Sequence, residues 1–155
     1  MTYKITEDIY YTNFINSKTN ITDLTRLNYQ RALKKFTLSL NITLEKIVTD
    51  SKNQQDRVIE KIINHGTDED GNQIIEKRII KFDVNSPDSL IKQYLDRFVE
   101  YCREQGNTNT TINSNLMLIK SFLKYYDITL PKIETLKNDA QKWYLLEKED
   151  FKYIL

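Results

Sequence analysis

The segment 86–126 reads SPDSLIKQYLDRFVEYCREQGNTNTTINSNLMLIKSFLKYY and predicts two amphipathic helices separated by a glycine. Ser86 is placed to cap the first helix, Pro87 to take its first position and Gly106 to end it. The apolar residues of this helix cover a wide arc, which predicts a central position in the core. They are Leu90, Ile91, Tyr94, Leu95, Phe98, Val99 and Cys102.

The second helix of this segment is predicted over residues 110–126. Apolar residues recur there every three or four positions, at Ile112, Leu116, Ile119, Leu123 and Tyr126. Asn113, Lys120 and Lys124 lie on the other side, and the stretch contains no acid. The solvent-facing side of this helix is therefore predicted to be cationic.

A third amphipathic helix is predicted upstream, from Thr25 to Leu40, with Thr22 or Asp23 as its cap. Its apolar residues are four, three and four positions apart, at Tyr29, Leu33, Phe36 and Leu40. The opposite side carries only basic charges, at Arg31, Lys34 and Lys35. This side too is predicted to be cationic.

Two interpretations of the stretch between these helices stay open. After a short helical turn at 43–48, the apolar residues of 53–64 fit a further helix. The β-branched pairs at 58–63 and 74–80 fit a hairpin across 65–72 equally well. The fold class predicted from the sequence is therefore all-α, with four helices and an extended or β-hairpin insert at about 65–85, between the second and third helices.

The remaining segments lie outside this helical domain, which is predicted to span residues 21–127. Residues 1–20 mix aromatic and polar residues at no clean period, which indicates an N-terminal arm or an irregular lead-in. Residues 128–145 are predicted to be a linker, because Pro131 favours an extended residue before it. Residues 146–155 have the pattern of a new amphipathic helix.

Composition excludes several classes of protein. The chain of 155 residues contains one cysteine and one histidine, so an intramolecular disulfide, a Cys/His zinc site and Cys-His catalysis are excluded. It has neither a signal pattern nor an apolar run of about 20 residues, so a cytoplasmic location and no membrane contact are expected. Cys102 is expected to be a core thiol and His65 a surface turn residue. No cofactor, metal or small-molecule substrate is predicted.

The charge is distributed unevenly along the chain. The formal net charge is only +1. From Thr25 to Val48, five basic residues face one acid, a local balance of +4. From Asp50 to Glu104, nine basic residues face twelve acids, a balance of −3, with acids concentrated at 68–70. A nearly neutral total therefore conceals one basic region and one acidic insert.

These helices carry a resemblance to a known family. The pattern T-x3-Y-x3-L-x2-F over 25–36 resembles the first helix of the core-binding domain of tyrosine recombinases, the phage-integrase family. Residues 94–102, the glycine at 106 and T-T-I-x3-L-x2-I-x2-F-L over 110–123 are similar to the later helix pair of that domain. Residues 146–155 resemble the opening of the family's catalytic domain. The resemblance covers about 21–155.

The resemblance implies a helical (SAM-like) core-binding domain that clamps duplex DNA at a recombination site. The full-length protein would break and rejoin DNA, and other recombinase protomers would be partners. The family's catalytic residues belong to a domain that would begin near Leu145, so the chain itself is expected to be non-catalytic and to end at the start of that domain.

We expect DNA contacts from the basic sides of two helices and from the start of the second. The candidate residues are Arg31, Lys34, Lys35, Thr110, Thr111, Asn113, Lys120 and Lys124. Two alternatives remain. The domain could be a helical protein-interaction module that works through its acidic insert, or a stand-alone DNA-binding regulator.

Overall fold

A computed structural model of the chain describes residues 2–133 and 136, apart from the side chain of residue 59. A 3-10 turn (Ile5–Glu7) precedes five α-helices and a two-stranded antiparallel sheet within these residues. The elements are α1 (Ile9–Asn16), α2 (Asp23–Leu40), α3 (Leu44–Gln55), β1 (Val58–Thr67), β2 (Gln73–Lys81), α4 (Leu90–Glu104) and α5 (Asn109–Tyr125). The fold is therefore mixed α/β, and the prediction of an all-α protein is wrong.

The sheet is a hairpin over 58–81, so the hairpin and not the helix is the correct interpretation of the open stretch, and the insert begins before the predicted residue 65. The helix α3 ends at Gln55, and β1 pairs with β2 in a register that runs from Val58 opposite Lys81 to Asn64 opposite Ile75. A bulge follows between Asn64 and Thr67. The β-branched pairs decide the outcome, because such side chains favour extended backbone over helix.

The base of the hairpin is held closed by one side chain. Gln54, at the end of α3, donates a hydrogen bond of 2.7 Å to the carbonyl oxygen of Asp88 and accepts one of 2.6 Å from the amide of Leu90. The chain therefore leaves the helical body after α3 and returns to the same place at α4.

The core lies between α2, α4 and α5. The rings of Phe36 on α2 and Phe98 on α4 meet edge to face, with centroids 5.8 Å apart. On the other side, the Tyr29 hydroxyl of α2 lies 3.4 Å from the Ser121 hydroxyl of α5. The predicted central position of α4 is borne out by its completely buried side chains, which are Ile91, Leu95, Phe98 and Cys102.

Four helices start in the same way. A threonine or serine side chain just before the helix accepts a hydrogen bond from the amide three residues later. These caps are Thr22 (3.1 Å), Thr43 (3.2 Å), Ser89 (3.4 Å) and Thr108 (3.2 Å). Thr22 was one of the two predicted caps of α2, whereas the prediction of Ser86 as the cap of α4 was wrong. Ser86 instead forms a turn, in which its hydroxyl oxygen accepts from the amide of Asp88.

The N-terminal segment contributes four buried side chains to the core (Ile5, Tyr11, Phe14 and Ile15), where the sequence indicated an arm or an irregular lead-in. Asp8 caps α1 by accepting a hydrogen bond of 2.9 Å from the amide of Tyr10. Phe14 is fully buried, and its ring contacts the rings of Tyr29, Phe122 and Tyr125 at centroid distances of 5.2 to 5.5 Å. The helix has only eight residues, which is too short for its apolar spacing to stand out in the sequence.

The segment after α5 begins against the helical body. Ile128 is buried. The side-chain NH2 group of Gln55 donates a hydrogen bond of 2.9 Å to the carbonyl oxygen of Thr129, and the side-chain oxygen of Gln55 accepts one of 2.9 Å from the amide of Thr129. Residues 134, 135 and 137–145 of the predicted linker lie outside the described residues, and so does the predicted helix at 146–155. In the part of the chain that is described, no helix has the length and apolar character needed to cross a membrane.

Phe14→Ala should lower the free energy of unfolding by about 3–5 kcal/mol, because removal of a buried ring leaves a cavity among three aromatic rings. Urea denaturation measures the change. Ile9→Ala, on the exposed side of the same helix, is the control and should stay within about 0.5 kcal/mol. Equal and small effects of both variants would mean that α1 is not part of the core.

Candidate nucleic-acid interface

The three predicted basic residues of α2 lie on the side of the helix that faces away from the core. Arg31 and Lys34 are exposed, and Lys35 is half-buried. At about 100° per residue, their side chains spread over roughly 100° of the helix circumference. They therefore form a broad cationic surface rather than a single row.

Lys34 and Lys35, which lie on either side of Arg31 around α2, have different surroundings. Lys34 lies beside the N-terminal residues 2–6, with which it lines a groove. Lys35 lies on the α4 side, near the buried thiol of Cys102. Burial raises the pKa of Cys102, and the positive charge of Lys35 acts in the opposite direction. Because Lys35 belongs partly to the α2–α4 contact, Arg31 and Lys34 are the better exposed cations of this surface.

The basic residues of α5 are one helical turn apart. Lys124 is exposed and Lys120 is half-buried. Lys120 directly precedes Ser121, through which α5 contacts Tyr29 of α2. The basic sides of α2 and α5 therefore belong to two helices that pack directly against each other.

Ion pairs divide the described cations into two groups. Arg97 on α4 pairs with Glu100 and Glu104, and in the hairpin Lys77 pairs with Glu60 and Arg78 with Glu76. Within residues 2–133, no acid forms an ion pair with any of the five candidate cations, Arg31, Lys34, Lys35, Lys120 and Lys124. The positive charge of α2 and α5 is therefore not neutralised locally.

Sequence reasoning missed the apolar part of this surface. Leu24, Leu27 and Leu38 are exposed on α2, where they interleave with Arg31 and Lys34. These five residues are three, four, three and four positions apart, so they form a second row along the helix, opposite the buried row. This spacing is visible in the sequence and could have identified the exposed leucines. The outer side of α2 is thus both cationic and apolar, which suits phosphate contacts next to sugar and thymine-methyl contacts.

The start of α5 offers less to a phosphate than predicted. The Thr111 amide already donates to the Thr108 hydroxyl oxygen, and the hydroxyls of these two residues lie 3.1 Å apart. The carbonyl oxygen of Thr110 accepts from the Ser114 hydroxyl at 3.0 Å. Thr110 and Thr111 are exposed, so the contacts that they can make with DNA are those of surface hydroxyl groups.

Asn113 has a structural role. Its side-chain amide donates a hydrogen bond of 2.8 Å to the carbonyl oxygen of Leu136, and its oxygen accepts one of 3.2 Å from the Leu136 amide. Both ends of the side chain are thus engaged by the segment after α5. Asn113 therefore holds this segment against α5, whereas Gln55 holds it at Thr129 against the end of α3.

Other groups with chemical potential are engaged elsewhere. Cys102 is fully buried, as predicted. His65 lies in β1 rather than in a turn, with Nε2 2.6 Å from a carboxylate oxygen of Glu76. Side-chain hydrogen bonds lower the pKa of Glu76, and the bond with Arg78 has a larger effect than the bond with His65. In the described ranges, no cluster of three or more His, Cys, Asp or Glu residues is arranged to hold a metal ion.

Asn113→Ala should lower the free energy of unfolding by about 1–3 kcal/mol, because the Leu136 backbone loses both partners, and it should leave DNA affinity unchanged. Asn115→Ala removes the same amide two residues further along α5 and should cost less than about 0.5 kcal/mol. Thermal unfolding and a DNA titration test the pair. A loss of DNA affinity without a loss of stability would return Asn113 to the interface.

The candidate interface thus comprises the cations and exposed leucines of α2 and the lysines of α5, whereas the Asn113 side chain is engaged by the backbone of Leu136. The parts of the pattern at 25–36, 94–102 and 110–123 lie in α2, α4 and α5, which contribute most of the buried core residues, and the part at 146–155 lies outside the described residues. Comparison of the chain with protein families, with curated proteins and with solved structures found no match.

Proposed function

We propose that the chain is a non-catalytic DNA-binding domain that contacts duplex DNA through α2 and α5, in the manner of the core-binding domain of a tyrosine recombinase. The observation that carries the proposal is the set of five cations on these two helices that have no acidic partner in the described chain. Unneutralised Lys and Arg side chains are the groups that bind phosphates and release the counterions of DNA.

The binding is expected to depend mainly on phosphates. Five cations that each contact one phosphate give a slope of log K against log salt of roughly −4 to −5. The exposed leucines on either side of Arg31 and Lys34, which are Leu24, Leu27 and Leu38, add apolar contacts to sugars and base methyl groups, which carry little sequence information. A single domain of this kind binds weakly, and a second domain would have to complete the clamp.

The helical core fixes the position of the two basic sides. The Phe36–Phe98 contact holds α2 on α4, and the Tyr29–Ser121 contact holds α2 beside α5. Because interiors are packed at crystal-like density, such contacts leave little freedom to the helices they join. The cations can therefore meet a duplex without a costly rearrangement.

A protein-interaction module is the competing function, and one observation favours it. The acidic residues 68–70 lie in the exposed turn that joins the two strands of the hairpin. A basic partner would bind at that turn. Replacement of Asp68, Glu69 and Asp70 by Asn, Gln and Asn would abolish such binding and leave DNA affinity equal or slightly higher.

Arg31→Glu with Lys34→Glu should weaken DNA binding uniformly across sequences and flatten the salt slope by about two units, because two phosphate contacts are lost. Lys124→Glu should flatten it by about one unit. Fluorescence anisotropy with a short duplex at several salt concentrations measures both. Thermal stability should change by less than about 0.5 kcal/mol, since these side chains are exposed.

The matched control is Arg57→Glu with Arg103→Glu, which changes the net charge by the same amount at exposed sites of the β1 approach and of α4. It should leave the salt slope unchanged. If the control weakens binding as much as the α2 variant, only net charge matters and no interface exists on α2. If the wild-type protein shows no binding at about 50 mM salt, the proposed function is wrong.

A further inference from the structure

The hairpin exposes apolar side chains on both of its faces. Their exposed fractions run from 41% to 73%, so no helix of the described chain covers either face. They are Val58, Ile62, Ile74, Ile75, Ile79 and Ile80. An isolated two-stranded hairpin is only marginally stable in water, and both of its strands have an unpaired edge. Such a hairpin gains most from an additional strand.

The sequence of β2 is symmetric in its chemistry. It reads QIIEKRIIK over 73–81, and Lys77 is its centre. At equal distances from Lys77, Glu76 matches Arg78, Ile75 matches Ile79, and Ile74 matches Ile80. In an antiparallel pair of two such strands, related by a twofold axis at Lys77, residues at equal distances stand directly opposite each other.

This pairing gives every residue around the centre a suitable cross-strand neighbour. Each isoleucine meets an isoleucine, and each Glu76 meets Arg78 of the second copy, so two ion pairs form across the axis. Within one copy Arg78 stands opposite Lys61, and Glu76 stands opposite Ile63. Glu76 already contacts Arg78 of its own strand and His65 of β1, so the second copy adds a further opposite charge to Glu76 and to Arg78. Lys77 stands opposite Lys77 of the second copy, and the two positive charges repel each other. Glu60, whose carboxylate lies 3.9 Å from the Nζ of Lys77 in the same copy, offsets part of this repulsion.

The edge of β1 lacks this symmetry. A centre at Lys61 puts Glu60 opposite Ile62, and a centre at Ile62 puts Lys61 opposite Ile63. In both arrangements a charged residue stands opposite an isoleucine and not opposite a residue of opposite charge. The complementarity is therefore a property of β2.

We propose that two copies of the chain associate through their β2 edges, pairing antiparallel about Lys77 into a four-stranded sheet in the order β1, β2, β2 of the second copy, β1 of the second copy. This interface lies on the hairpin and is separate from the proposed DNA-binding helices. It forms without DNA, so its failure and the failure of the proposed function are distinguished by separate measurements.

A cysteine at the centre tests the axis directly. Opposite residues of an antiparallel pair have Cα atoms about 4.5–5.5 Å apart, within the range of a disulfide. Lys77→Cys should therefore form a disulfide-linked dimer under mild oxidation, seen on a non-reducing gel. The native Cys102 is buried, so the wild-type chain should stay unlinked. Ile62→Cys is the matched control, because Ile62 is exposed in β1 directly opposite Lys77, and both β2 strands of the proposed sheet would separate it from its counterpart in the second copy. An unlinked Lys77→Cys, or equally fast linkage of Ile62→Cys, would overturn the proposal.

Charge reversal tests the two ion pairs. Arg78→Glu alone and Glu76→Arg alone each place like charges opposite each other twice, and each should raise the dimer dissociation constant by about tenfold or more. The double variant restores opposite charges and should return the constant to within about threefold of the wild type. Sedimentation equilibrium without DNA measures it. A wild-type chain that stays monomeric at several hundred micromolar, or a double variant no better than the single ones, would refute the interface.

Discussion

The contact between Phe36 and Phe98 is the one on which the arrangement of the helices depends. Both rings are fully buried and meet at a right angle, which joins α2 to the central helix α4. The same side of α2 also packs against α5 and, through Tyr29, against Phe14 of α1. Since three helices occupy this side, only the opposite side of α2 is left to solvent. The position of its cations and leucines follows from that packing.

Charge is handled differently in the two parts of the molecule. In the hairpin and in α4, three basic residues (Lys77, Arg78 and Arg97) pair with acids of the same element or of the paired strand, and exposed pairs of this kind contribute little to stability. On α2 and α5 the cations lie on helices with almost no acids. The result is a nearly neutral chain with a local positive field. Such a field attracts a polyanion, and salt shortens the range of this attraction.

Side-chain amides connect segments that are far apart in the chain. Gln54, Gln55 and Asn113 each donate to a backbone carbonyl oxygen and accept from a backbone amide of another segment. Such reciprocal bonds satisfy backbone groups that neither helix nor sheet pairs. Because Gln54 closes the base of the hairpin, the core does not require the hairpin to pack on it. The hairpin can therefore project from the body and offer its edge to a second copy.

The sequence by itself determined α2, α4 and α5, because each is long enough for its apolar spacing to show. It also identified the buried role of Cys102 and the basic sides of two helices. It could not identify α1, whose eight residues are too few for a period. It also could not choose between helix and hairpin at 58–63, where the apolar spacing fits a helix and the β-branched residues fit a strand. The partners of polar side chains were decided only by the tertiary structure. Asn113 lies on the same side of α5 as Lys120, yet the backbone of Leu136 occupies its amide. Periodicity tells which side of a helix is apolar, whereas a polar side chain takes its role from residues that only folding brings near.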